Sequence, residues 1–420
     1  MNRVIVIGAG AAGLMAAISA AKIGAKVLVL EKMPAPGRKI LITGKGRCNF
    51  TNNCELADFP KFFPNNGAFL YSALRSFDNQ DLIDFFTSHG VLSKVERGGR
   101  VFPVSDKASD VVAALTQAAS QAGVQILTGR TVQSIQTQNS RVTGVISNTE
   151  FLPASAVVLA TGGLSYPGTG STGDGYRMAK ELGHSVTPLA PALIPLETVE
   201  NWVKELQGLS LKNVEAAVRI NGRKVDSEFG EMMFTHFGLS GPIILSLSQA
   251  VSKAMKQKPL PEIGAEINLK PALTPETLDK RLQRDFAAFT RKQFKNALGD
   301  LLPAKMIPVI VQLSGIPPEK PVHQISREER LHLVELLQNL RFTIRGTRPV
   351  AEAVVTAGGV EVKEIQPKTM ESRLVGGLYF AGEIMDVDGY TGGFNLQAAF
   401  STGYVAGRAA ALSAANGQNK

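Results

Sequence analysis

Val4-Ile5-Val6-Ile7-Gly8-Ala9-Gly10-Ala11-Ala12-Gly13 is the stretch on which the fold turns. Four β-branched residues in a row, with no polar alternation, form a short strand buried on both faces. The glycines that follow have the spacing of a turn that receives a dinucleotide's pyrophosphate. Gly8 permits the tight turn, Gly10 leaves the backbone open to the phosphates, and Gly13 lets helix and strand pack closely. Residues 14–22 carry a helical pattern, and 26–30 a second strand that ends at Glu31. The helix start, with Ala11 beside Gly10, presents unpaired N–H groups and the positive end of a dipole. Glu31 stands where a carboxylate accepts the hydroxyls of an adenosine ribose and repels a 2′-phosphate. Strand, turn, helix, strand and acid in this order specify a Rossmann-like unit, but they do not separate NAD from FAD.

The next segment points to FAD. Gly37-Arg38-Lys39 and Thr43-Gly44-Lys45-Gly46-Arg47-Cys48-Asn49, closing on Thr51-Asn52, form a basic, glycine-rich loop suited to a long dinucleotide. Arg38 and Lys39 offset phosphate charge, and Asn49 and Thr51 can donate hydrogen bonds to the flavin's polar edge. Lys32, Gly37, Gly44 and Arg47 complete this part of the expected cofactor site. Five residues separate Cys48 from Cys54, unlike a Cys-x-x-Cys pair, which argues against a redox dithiol.

Composition bounds the alternatives. With 420 residues, 44% hydrophobic and 19% charged, the chain is an ordered globular protein of more than one domain. Two cysteines exclude a disulfide framework and fit a reducing compartment. The first strand begins at once, leaving no room for a signal peptide, and no apolar run reaches the roughly 18 residues of a membrane span. A cytoplasmic protein without a metal site is the expectation. The net charge of +9 is uneven: residues 1–50 hold eight basic residues against one acid, and 275–350 hold thirteen against eight. The second patch reads either as a nucleic-acid surface or as a solvated face.

Further along, residues 78–90 and 108–122 read as amphipathic helices, and 131–137 with 141–149 as a hairpin, with Val132 at its start. Residues 157–160 return to the parallel sheet and end in Thr161-Gly162-Gly163, a second turn aimed at a cofactor crevice. In Gly168-Thr169-Gly170-Ser171-Thr172-Gly173-Asp174-Gly175, Thr172 or Asp174 can cap the helix that follows. Residues 378–381 form the last core strand, ending in Gly382-Glu383, with Asp386 beyond. Gly392-Gly393-Phe394-Asn395-Leu396 then opens the final helix, whose N–H groups would face the reduced ring's N1–C2=O edge, while Glu383 would bind ribityl hydroxyls. The strand-and-turn pattern thus occurs three times. The expected fold class is α/β: a Rossmann-like FAD-binding domain (1–190 and 351–420), interrupted by a barrel-like β domain (191–274 and 321–350) and a small helical domain (275–320). Residues 275–298 read as one basic helix.

These motifs, together with Phe234-Thr235-His236-x-Gly238-x-Ser240-Gly241-Pro242, resemble the HI0933-like, aminoacetone-oxidase-like family of bacterial NAD(P)/FAD-dependent oxidoreductases along almost the whole chain. The resemblance implies the same three-part fold and noncovalent FAD on the first glycine turn, Glu31, the 38–49 loop, Gly162–Gly163 and the C-terminal turn. It leaves the substrate open among amines, steroid-like double bonds and uridines of large-subunit ribosomal RNA. The preferred expectation is reduction of a uridine C5=C6 bond. Basic residues such as Lys280, Arg281, Arg284, Arg291, Lys292 and Lys295 would hold the phosphates of ribosomal RNA or a ribosomal precursor. His236 or Cys48 would supply the proton. The alternatives are a small amine or steroid-like substrate, needing an apolar pocket, and a non-enzymatic flavin scaffold. No second Gly-x-Gly-x-x-Gly follows a later strand, so NAD(P)H, if used, docks transiently.

Overall fold

A computed structural model describes residues 3–416; Met1 and Asn2, on which the signal-peptide expectation bears, lie outside them. The described chain forms two compact units, residues 3–191 with 350–416, and residues 192–349. The first is built on a five-stranded parallel sheet. The apolar run at the N-terminus becomes β1 (Arg3–Ile7), followed by helix α1 (Ala11–Lys22) and β2 (Lys26–Glu31). β1 lies at the sheet centre, between β2 and the strand Ala156–Leu159. Outside these run Gln125–Thr128, beside β2, and Leu378–Phe380, beside Ala156–Leu159. Val4, Ile5 and Val6 have no exposed surface, as a strand covered on both faces requires.

The final helix, Phe394–Asn416, lies against α1 through small residues. A Cβ on Gly403 would sit 2.3 Å from the Ala12 carbonyl oxygen, and one on Gly407 would sit 2.0 Å from that of Ala16. Backbone thus meets backbone, which only glycine allows. This packing brings the chain's last element onto its first helix and places both helix starts at the carboxyl ends of the parallel strands, where ligands of such sheets bind.

The second unit is a closed six-stranded antiparallel barrel. Its order is Leu196–Thr198, Gly238–Ser240, Arg223–Phe234, Ser210–Ile220, Ile263–Asn268 and Leu340–Thr347, which pairs again with Leu196–Thr198. The helices Pro275–Ala288, Ile307–Ser314 and Arg327–Gln338 share one apolar core with the barrel, through Leu278, Leu282, Ile310 and Leu333 among others. The expected basic helix 275–298 is shorter than its charge pattern suggested. It stops at Ala288 with Phe289 as its C-cap, and Arg291, Lys292 and Lys295 lie beyond it. No helix among the described residues is long and apolar enough to cross a membrane.

Candidate cofactor and active site

The glycine turn after β1 behaves as its spacing implies. Gly8 takes φ +100, and a Cβ there would lie 2.6 Å from the Ala160 carbonyl oxygen; at Gly13 it would lie 1.9 Å from that of Gly8. Gly10 differs. Its φ is −83, open to any residue, and a Cβ would meet nothing within 4 Å. The protein itself gives no reason for glycine at this helix cap, but a phosphate approaching the N–H groups of Ala11 and Ala12 does. Glu31 accepts the N–H of Ala9 on Oε2 at 2.7 Å and that of Met33 on Oε1 at 2.8 Å. A carboxylate has about four acceptor sites, so one per oxygen remains for a ribose hydroxyl.

Two further groups look outward for partners. Arg38 follows Gly37, whose N–H binds the Ala9 carbonyl at 2.8 Å and so ties this loop to the glycine turn. The Nε of Arg38 and the hydroxyl of Thr161 are buried with no hydrogen-bond partner among the described residues. Orphan polar groups of this kind cost about 1–3 kcal/mol each, which a bound acceptor would recover. Val132 is buried at the start of the hairpin, two residues after Arg130, whose N–H binds the Glu31 carbonyl. Open space at Gly10, spare acceptors on Glu31 and the unpaired Arg38 and Thr161 groups fit the pyrophosphate and adenosine of FAD.

The other expected ligands are engaged within the protein. Lys39 Nζ lies 2.6 Å from both Glu383 Oε2 and Ser165 Oγ, while Glu383 Oε1 accepts from Ser165 Oγ and the Thr356 N–H. Four distant segments are clasped there, with Gly162 and Gly163 forming the turn before Ser165. A Cβ on Gly163 would strike Thr356 Oγ1 at 2.4 Å. Arg47 does not reach out to phosphate: it is gripped by Asp106 and Glu96 and lies over the Phe102 ring, 4.1 Å from its centroid. Gly44, at φ +56, lets the same loop pass close to that ring. The Asn49 amide donates to the Thr51 and Val101 carbonyls, and the buried Thr51 hydroxyl to Gln397. Neither is a free donor for a flavin edge.

The C-terminal turn is similarly braced. Gly382 takes φ +76 and faces the Ala12 methyl of α1, and Gly393, at φ +99, lies directly on the Thr51 backbone. Gly392 presents its carbonyl to Asn52. Phe394 is buried and stacked on Phe62 at 4.1 Å, so its ring belongs to the core, while Leu396 is partly buried against it. The Asn395 side chain closes a ring with Gly389, accepting its N–H and donating to its carbonyl. These contacts hold the first-turn N–H groups of the final helix in place. Burial raises Asp386, and pushes Asp388 up to about 6, with the nearby Asp386 and Glu383 charges adding to the effect.

Residues 2–409 match the HI0933-like protein Rossmann domain. The chain belongs to the HI0933-like family. It is 34% identical over 418 residues to a 3-dehydro-bile acid delta(4,6)-reductase of Clostridium scindens, covering 98% of this chain and 99% of that one. It is also 34% identical over 400 residues to the ribosomal RNA dihydrouridine synthase of Escherichia coli, covering 95% and 96%. A 3-ketosteroid delta1-dehydrogenase from Sterolibacterium denitrificans shares the fold, with a TM-score of 0.57 at 14% identity over 98% of this chain and all of that one. This HI0933-like chain is therefore an FAD-dependent oxidoreductase, and its fold and family support FAD binding.

Of the two expected proton donors of this HI0933-like chain, Cys48 must be withdrawn. It is fully buried, and burial raises its thiol to about 12, only partly offset by a hydrogen bond with Thr43. So enclosed, its thiol cannot meet a substrate. Its φ of +61 shows its part in the left-handed turn of the 44–48 loop. His236 is exposed in the turn before Gly238–Ser240, edge-on to Phe237, and its ring has no hydrogen bond among the described residues. Thr235, not His236, holds that turn, through Gly238. The sequence reading missed Gln397, Ser165 and Thr356. All three are ordinary polar residues in sequence, and only their long-range partners reveal them. No group of three or more metal-ligating side chains occurs among the described residues.

Proposed function

We propose that the protein reduces a carbon–carbon double bond conjugated to a carbonyl in a small, steroid-like molecule. One observation favours this reading over the RNA alternative: half of the six cations expected to grip phosphates are held in ion pairs within the protein. The helix Pro275–Ala288 holds Lys280, Arg281 and Arg284 against Glu276, Asp279 and Asp285. Arg281 and Arg284 both pair with Asp285, Arg330 takes Asp279, and Lys295 takes Glu319. A phosphate track needs uncommitted cations along one line. The relative named for a bile-acid substrate, matched nearly end to end, agrees with this choice.

A uridine of ribosomal RNA is the second reading, favoured by the equal identity to the dihydrouridine synthase. The two readings share one chemistry: a hydride to the carbon β to a carbonyl and a proton to the α carbon. Bound FAD would supply the hydride once reduced by transiently docked NADPH or NADH, and an acid would supply the proton. Stopped-flow bleaching of the flavin by either nicotinamide tests the donor; no bleaching by either removes it. For the substrate, anaerobically reduced protein is mixed with a 3-oxo-Δ4 steroid, or with large-subunit RNA from a deletion strain. Flavin reoxidation with a steroid product two hydrogens heavier is expected. Dihydrouridine in the RNA, with the steroid inert, would transfer the assignment to the second reading.

A further inference from the structure

In sequence, Gly168 to Gly175 reads as the cap of the helix Asp174–Glu181, yet neither Thr172 nor Asp174 caps it. The N-cap is Gly173, at φ +84, with no side-chain cap bond. Both side chains turn instead to Lys32, the residue after Glu31. Its ammonium lies 2.6 Å from Asp174 Oδ2 and hydrogen-bonds the Thr172 hydroxyl. Burial would raise Asp174, but the Lys32 hydrogen bond and charge, with the Thr172 hydroxyl and the Arg177 charge, more than offset it and hold the carboxyl below its usual range.

The same segment touches the cofactor site at two other points. Gly170 takes φ +110, and a Cβ there would lie 2.9 Å from Met33 Cγ and 3.7 Å from Glu31 Oε1. Gly162, in the turn after Ala156–Leu159, sits against Ser171, whose hydroxyl would be 2.9 Å from a Cβ. Residues 168–175 thus run between the carboxylate that faces the ribose and the turn at 161–163. Glycines at 168, 170, 173 and 175 make the backbone easy to bend. The Lys32–Asp174 pair is partly exposed, with 23% and 37% of the side chains accessible, so it breaks at modest cost.

We propose that residues 168–175 form a strap across the adenosine end of the FAD site, and that Lys32 latches it through Asp174 and Thr172. Lys32 is then a positioning residue that sets how fast the cofactor leaves, rather than a phosphate ligand. The inference rests on FAD lying along the glycine turn and Glu31.

The test measures FAD loss from the loaded protein, as the rise of flavin fluorescence after dilution into FAD-free buffer. Lys32→Met and Asp174→Asn should each speed release about fivefold. The exchange of both residues (Lys32→Asp with Asp174→Lys) should restore the rate to within twofold of the parent. Raising NaCl to about 0.5 M should speed release from the parent but not from Asp174→Asn. Thr172→Val, which removes only a hydroxyl, gives a milder variant should the charge changes disturb folding. Unchanged release in both single variants would overturn the strap. So would a fall in the melting temperature of the FAD-free protein large enough to account for the faster release, since the pair would then be a general structural tie. A parent protein that takes up no FAD at all would instead defeat the cofactor assignment on which the strap depends.

Discussion

At Gly10 the absence of a side chain has no internal explanation, because its backbone is unstrained and the space above it is open. Gly10→Val should therefore fold normally yet bind FAD about 100-fold more weakly, the loss of two charge-assisted hydrogen bonds to phosphate. Equilibrium FAD titration beside a urea unfolding curve checks this; equal affinity would place the pyrophosphate elsewhere. Asp388 makes a prediction in pH. It is almost fully buried, and its folded value of about 6 lies above the 3.8 of an unhindered aspartate. The raised value favours the folded state fully at pH below 3.8, and that contribution is lost as pH rises through about 6. Asp388→Asn, which cannot ionise, should thus gain roughly 2–3 kcal/mol over the parent above pH 7, and nothing below pH 4. Melting temperatures across that range decide it; a pH-independent difference would show that the carboxylate is not under strain.

Among the elements, the contact between α1 and the final helix positions the site more than any single ligand does. Gly407 is closest, with backbone 2.0 Å from where a side chain would begin. Gly407→Val should destabilise the protein by about 3 kcal/mol despite valine's better helix propensity, because overpacking must push two helices apart. Urea midpoints measure it, and a neutral result would mean that the helices separate without cost. The loop at 44–48 belongs to the same scale. Its sequence announces a basic, glycine-rich turn, but Arg47 is taken by Glu96 and Asp106, and Cys48 is folded inward. Composition revealed the loop and not the direction of its side chains, because Glu96 and Asp106, which capture Arg47, lie 49 and 59 residues away in the chain.

At the scale of the whole molecule, the residues assigned to FAD fall within residues 1–191 and 350–420. Saturating FAD at about 100 times its dissociation constant should stabilise that unit by roughly 2.7 kcal/mol. Hydrogen exchange should then slow in those residues, at the slowest amides above all, with residues 192–349 little changed. Equal slowing throughout would show that both units unfold as one.

β1, the glycine turn, α1, β2 and Glu31 were legible in sequence because each depends on neighbours a few residues away: apolar periodicity, glycine spacing and a terminal acid. The return of the chain at 378–396 was legible for the same reason. The barrel-like domain across the helical excursion was legible too, but not which of its strands pair to close it, such as Ile263–Asn268 with Leu340–Thr347. Nor was the fate of the polar groups. Lys39 with Glu383, Arg47 with Asp106, Thr51 with Gln397 and Lys32 with Asp174 are each set by distance in space. A charge or hydroxyl in sequence states what it can bond. Which of the acceptors within reach it takes is a property of tertiary packing alone.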